Sequence, residues 1–197
     1  MNSAVKYVMI VILALLGLAV GIVVAQKVLA TFVGPVVLKD WQTRTVAGLT
    51  MESPGGFKER TLNFGEARKM MEEVDSQLCT FRGFEIEVMR VKYKPEIVPN
   101  LDGAVKGAVN GVAKLEGVTN LKDTQKRITI SGKPAVRLDM RGERTLGSRS
   151  GILHANGLVI ADMENHTLYQ VEVVFDSSNP NGPEYAERLL KSVKLAP

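Results

Sequence analysis

The chain has 197 residues and 45% hydrophobic content, with 25 Lys and Arg against 21 Asp and Glu. Its formal charge of +4 is misleading: without Lys6, Lys27 and Lys39, 22 basic residues face 21 acidic ones from Asp40 onward, a net of +1. That balance excludes the clustered basic excess of a nucleic-acid-binding domain, and one cysteine, Cys79, excludes an intramolecular disulfide framework.

Residues 1–6 are a short flank, followed by an uncharged run from Tyr7 to Gln26, YVMIVILALLGLAVGIVVAQ. A helix of that length spans the roughly 30 Å hydrocarbon core of a bilayer. The expectation is a single N-terminal transmembrane helix, an uncleaved signal anchor over 7–26. A cleaved secretory signal is the alternative, with Val23-Val24-Ala25 or Val28-Leu29-Ala30 as the small-residue site. Lys27, Lys39 and Arg44 after the run outnumber Lys6 before it, which on the positive-inside rule favours a cytoplasmic domain. Long following domains translocate largely regardless of charge, so the expected location is extracytoplasmic, in periplasm or lumen, or secreted if the segment is cleaved. Residues 27–43 form a connector in which Trp41 either sits at a membrane interface or packs on the domain. Residues 44–197 are long enough for one domain with a real core.

Within that domain, periodicity predicts strands at Leu49–Glu52 and Phe57–Leu62 around the turn Ser53-Pro54-Gly55-Gly56. Asn63 and Glu66 resemble a capping box, and Ala67, Met70, Met71, Val74 and Leu78 then fall on one face of a predicted helix. Phe84–Lys94 reads as a long strand ended by Pro95 and Pro99, and a second helix runs from Asn100 or Leu101 to about Leu115. Strands follow at Thr124–Ile130, Pro134–Thr145, Ser150–Met163 and Thr167–Asp176, and the last helix begins at Gly182-Pro183-Glu184. The order β-β-α-β-α-β-β-β-β-α predicts an α+β domain: a mainly antiparallel sheet covered by helices.

The residues that carry chemistry elsewhere are sparse in pattern. His154 and His166 lie twelve apart with no HExxH and no zinc spacing, so no metal is expected. Gly147-Ser148-Arg149-Ser150-Gly151 has Arg149 where a nucleophile elbow needs serine. Cys79 reads as a small buried apolar residue, Glu72-Glu73 as partners of Arg68 and Lys69 on a helix, and Asn165-His166-Thr167 as a glycosylation sequon at a hairpin tip. Two features stand out. Arg90, Lys92 and Lys94 share one face of a strand, as do Arg137, Asp139 and Arg141 on another. These form either a solvated face laced by ion pairs or a binding face for an acidic segment or headgroup. Gly103, Gly107 and Gly111 recur every four residues along the second helix, a smooth stripe for close packing on its own sheet or for docking a partner helix.

The phrases LTMESPGGF (49–57), FEIEVMRVKY (84–93), ISGKPAVRLDM (130–140), LYQVEVVF (168–175) and AERLLKSVKL (186–195) resemble the PsbP-like and DcrB-like group of small α/β/α sandwich domains. The resemblance covers most of residues 44–196. It implies an extracytoplasmic domain, membrane-attached or lumenal, acting as an extrinsic subunit, assembly factor or envelope protein, and it supplies no catalytic residues. This chain departs from lipoprotein members in having no lipid-accepting cysteine after its apolar run. The expected function is a membrane-anchored extracytoplasmic binding or assembly module without catalysis or cofactor, held to the membrane through 7–26 and partnered by another envelope or membrane protein, with no nucleic acid. The alternatives are a hydrolase whose site is assembled only in the fold, and a cytosolic membrane-tethered adaptor.

Overall fold

The computed structural model describes residues 41–81 and 83–196. The flank 1–6, the apolar run 7–26 and all but the end of the connector 27–43 lie outside the described residues. Among the described residues no helix is long and apolar enough to cross a membrane.

The chain folds as β1 (Gln42–Val46), β2 (Leu49–Ser53), β3 (Lys58–Glu59), a 3-10 helix (Gly65–Met70), β4 (Met71–Phe81), β5 (Phe84–Tyr93), α1 (Leu101–Ala113), β6 (Val118–Ile130), β7 (Lys133–Leu146), β8 (Arg149–Asp162), β9 (Thr167–Asp176), α2 (Gly182–Ser192) and β10 (Lys194–Leu195). Seven strands form one antiparallel sheet in the order β3-β4-β5-β9-β8-β7-β6, and β1-β2-β10 form a second, smaller one.

The alternation of each strand sends its side chains into two cores. On one face of the large sheet, Met89, Val91, Leu138, Met140 and Val159 pack under Ala104, Val105, Ala108 and Val112 of α1. On the other, Ile86, Val88, Leu158, Ile160 and Val171 pack under Leu189 and Leu190 of α2 and under Leu49 and Met51 of β2. Asn100 starts α1, its side-chain oxygen accepting from the backbone N–H of Gly103 (3.0 Å). Trp41 is buried against Tyr185, with ring centroids 5.4 Å apart, and the Arg188 guanidinium lies over its ring. Of the two roles open to Trp41, the structure shows packing on the domain.

This architecture corrects the expected fold class, a sheet sandwiched between helices. The protein is mostly antiparallel sheet, and its second face is shared between α2 and the three-stranded sheet. The helix expected from Asn63 through Leu78 is one 3-10 segment followed by the eleven-residue strand β4. The cause is a bulge between Met71 and Glu73. It inserts an extra residue, so Met71 and Val74 point the same way at a spacing of three, opposite Tyr93 and Val91. Ser76 and Leu78 continue that face by ordinary alternation, opposite Met89 and Glu87. Because Ser76 is polar, the apolar residues alone read 71, 74, 78, which is a helical spacing.

Gly117 joins α1 to β6 with φ +74°, and a Cβ there would lie 1.9 Å from the Thr145 carbonyl oxygen. The Gly117 carbonyl in turn accepts from the Thr145 N–H (3.0 Å). Gly117→Ala is therefore expected to cost ~2–4 kcal/mol, read as a lower urea midpoint with unchanged slope. A midpoint equal to the parent's would show that this junction relaxes freely.

Candidate binding face and a buried carboxylate cluster

The β5–β9 register sets Glu87 directly opposite Glu172, with Glu85 two residues along the same face of β5. All three are buried, at 5%, 2% and 5% exposure. Arg60, brought in behind β3 by its own N–H bond to the Ser76 carbonyl (2.7 Å), donates from Nη1 to Glu87 Oε2 (2.7 Å). Ser76 Oγ donates to Glu87 Oε1 (3.2 Å), and Gln170 Nε2 donates to Glu172 Oε2 (3.4 Å). Arg144 is buried at the far end. Its Nε donates to the Glu116 carbonyl, while Nη2 has no hydrogen-bond partner among the described residues.

Burial is the first cause that raises the proton affinity of each carboxyl. Glu172 is pushed up to about 8, aided by the charges of Glu87 and Glu85. Glu87 rises to about 7 against the opposing pull of Arg60 and Ser76, and Glu85 to about 7 against Arg60 and Arg144. The cluster can hold protons near neutrality. The neighbouring cavity, lined by Met89, Tyr93, Ala104, Leu168 and Gln170, is about 10 Å³, room for a single water.

The opposite face of the sheet carries the residues expected to bind a partner. Arg90 pairs with Glu73 and Lys92 with Glu72, both from β4. Lys94 lies just past the end of β5, its N–H bonded to the Met70 carbonyl. Arg137, Asp139 and Arg141 are three strands away, at roughly 14 Å or more given the usual strand spacing. The structure thus places the two sets on one face but does not bring them together. Arg137 pairs with Glu187 of α2 (2.6 Å) and lies 3.5 Å from Asp139, which accepts from Asn156.

The β6–β7 register adds residues that the sequence did not single out. Lys126 stands opposite Arg137, and Lys122 opposite Arg141. Lys122, Lys126 and Arg141 are exposed and form no ion pair among the described residues. His154, opposite Arg141 on β8, stacks on Phe175 at 5.2 Å. Burial first, and then the Arg141 charge, holds its pKa below the ordinary histidine value. Like charges directly opposite one another destabilise a sheet, so this end of the face is cationic at a cost.

Gly103, Gly107 and Gly111 are buried along α1, beside the Ala104, Ala108 and Val112 row that meets the sheet. His166 takes a φ of 50° at its hairpin and its Nδ1 bonds the Ile97 carbonyl (2.9 Å). Among the described residues no group of three or more His, Cys, Asp and Glu is placed to hold a metal ion. Cys79 is buried, its thiol donating to the Gly55 carbonyl (3.2 Å), and burial pushes its pKa up to about 11.

No family model matches the chain, and no curated protein matches it. Among solved structures, the chain is similar to LpqN of Mycobacterium tuberculosis, described as involved in cell envelope biogenesis, at 12% identity and a TM-score of 0.47 over 76% of this chain and 83% of LpqN. It is similar to PA94 of Pseudomonas aeruginosa, described as a protein of unknown function, at 14% identity and a TM-score of 0.37 over 75% of this chain and 92% of PA94.

The carboxylate cluster makes stability depend on pH. Folded Glu172, Glu87 and Glu85 bind protons more tightly than the unfolded chain, whose value is 4.5. The stability they allow is complete below about pH 4.5 and is lost as pH rises through about 7 to 8. Urea unfolding between pH 5 and 8.5 is expected to show that fall, and Glu172→Gln to flatten it by several kcal/mol. A parallel curve for the variant would show that Glu172 is ionised in both states. Arg60→Met removes the cation from Glu87 and is expected to cost about 3 kcal/mol at pH 8 and clearly less at pH 5, where Glu87 carries its proton.

Proposed function

We propose that this protein is a non-catalytic binding module, delivered to a membrane and working on its outer side, that recognises an anionic partner through the β6–β7 end of its sheet. The observation that carries this reading is the pair of cation rows, Lys122 opposite Arg141 and Lys126 opposite Arg137, three of whose members form no ion pair among the described residues. A solvated face laced by cross-strand pairs would set opposite signs across the register, as Lys92 stands opposite Glu73 and Arg90 opposite Asp75. The β6–β7 rows repeat one sign, which favours a partner that brings the missing charge.

The uncharged run 7–26 supports delivery to a membrane, and the resemblance of local phrases to PsbP-like and DcrB-like domains favours the outer side. Within this reading, Arg137, Asp139 and Arg141 belong to the binding face. Arg90, Lys92 and Lys94 form a secondary contact reached only by a partner large enough to cross β9 and β8. Gly103, Gly107 and Gly111 let α1 lie close to whatever packs beside it.

Two measurements test the reading. A reporter active only outside the cytoplasm, fused after Pro197, is expected to be active; activity of a cytoplasmic reporter instead would overturn the location. Polyglutamate binding to the full chain in detergent micelles is expected to weaken at least tenfold in Lys122→Glu/Arg141→Glu and to fall steeply with salt. Equal binding by parent and variant would overturn the assignment of the face.

A further inference from the structure

The cationic rows lie along a sheet edge, and the edge itself is informative. In the described residues β6 is the last strand of the large sheet, paired only with β7. Its one irregularity lies between Thr119 and Lys122, so residues 122–130 run in unbroken register. Residues 122–127 are all exposed, and the stretch contains no proline. The other edge of the sheet is different: the two-residue β3 covers β4 at Leu78 and Gln77, and the Arg60 N–H continues the contact to Ser76.

We propose that β6 takes up an extended acidic segment of a partner protein as an added antiparallel strand. This rests on the proposed anionic-partner reading and names the partner's chemistry. An unpaired edge presents alternate N–H and C=O groups in a line, which an extended peptide satisfies along its whole length. A lipid headgroup or a compact anion meets charges but cannot match that row.

Lys122 and Lys126 are four residues apart on one side of β6, with the Thr124–Asp139 pair between them. An incoming strand would therefore carry acids four positions apart facing the lysines, and a neutral residue at the middle position, where Asp139 would repel a third acid. A second copy of this chain fits less well than an acidic segment. Pairing β6 with β6 brings the two Lys122 and Lys126 rows side by side on one face of the joined sheet, where residues 122–130 place no acid to offset them, Asp123 lying on the other face. Lysines on an edge also guard against such self-pairing, and here the same two residues select an acidic guest.

The test uses the full chain in detergent micelles and a labelled, end-blocked peptide as long as 122–130, with threonine and valine around two glutamates four positions apart. Anisotropy is expected to show saturable binding. N-methylation of alternate peptide amides keeps the charge and removes strand pairing, and is expected to weaken binding at least tenfold. Lys122→Glu/Lys126→Glu, checked for an unchanged circular dichroism spectrum, is expected to lose the glutamate peptide and to bind its lysine counterpart. Amide exchange is expected to slow within 122–130 on adding the glutamate peptide.

Equal binding of the N-methylated peptide would overturn strand addition while leaving the charged face standing. Binding of neither this peptide nor polyglutamate would overturn both. Binding to anionic phospholipid vesicles with no peptide binding would overturn the protein partner in favour of a headgroup.

Discussion

A sheet covered on both faces leaves its central strands no exposed side on which to place polar residues. β5 and β9 are in that position: α1 and the 3-10 segment close one face, α2 with the small sheet the other, and nearly every residue of both strands is buried. Everything placed on them must be apolar or internally paired. Glu85, Glu87, Glu172 and Gln170 meet that demand by sharing Arg60, Ser76 and one another, and by holding protons that exposed carboxyls would release. The position of Arg60, and with it the short β3 and the segment leading to the 3-10 helix, follows from the need to bring a cation to Glu87.

The two faces handle charge by different rules. Inside, desolvation dominates, and a carboxyl's state is set by how far it is from water. On the outer end of the β6–β7 face, water screens each charge and a single exposed pair contributes under about 1 kcal/mol. Stability therefore depends far more on the buried cluster than on Lys122, Lys126 and Arg141, whose mutual repulsion is a small, water-screened cost, which leaves those residues available for recognition.

Much of the fold was legible because β5, α1, β8, β9 and α2 carry strong periodic patterns with clear ends: Asn100 before α1, Gly182-Pro183 at the start of α2, prolines after β5. β4 was not, because a bulge and one inward serine gave its apolar residues a helix-like spacing. The candidate site was legible in half. Arg137, Asp139 and Arg141 announce a shared face by alternation alone. Lys122 lies on a part of β6 ahead of the strand that periodicity delimits, and its place opposite Arg141 is a matter of register between strands, which no local pattern encodes. Glu85 and Glu87 alternate with Phe84, Ile86 and Val88 as an ordinary half-exposed strand would. What buries them is the arrival of Glu172 and Arg60 from elsewhere in the chain.

The environment of Cys79 bears on how the chain survives handling. Disulfide exchange needs a thiolate with a path to a second sulfur. The Cys79 thiol is enclosed in the core, bonded to the Gly55 carbonyl, and held protonated far above neutral pH. A chain with one unpaired cysteine ordinarily risks covalent dimers and mixed disulfides wherever oxidants are present. Here the folded state acts as its own protecting group: burial keeps the Cys79 sulfur away from a second sulfur, and only opening of the core exposes it to exchange.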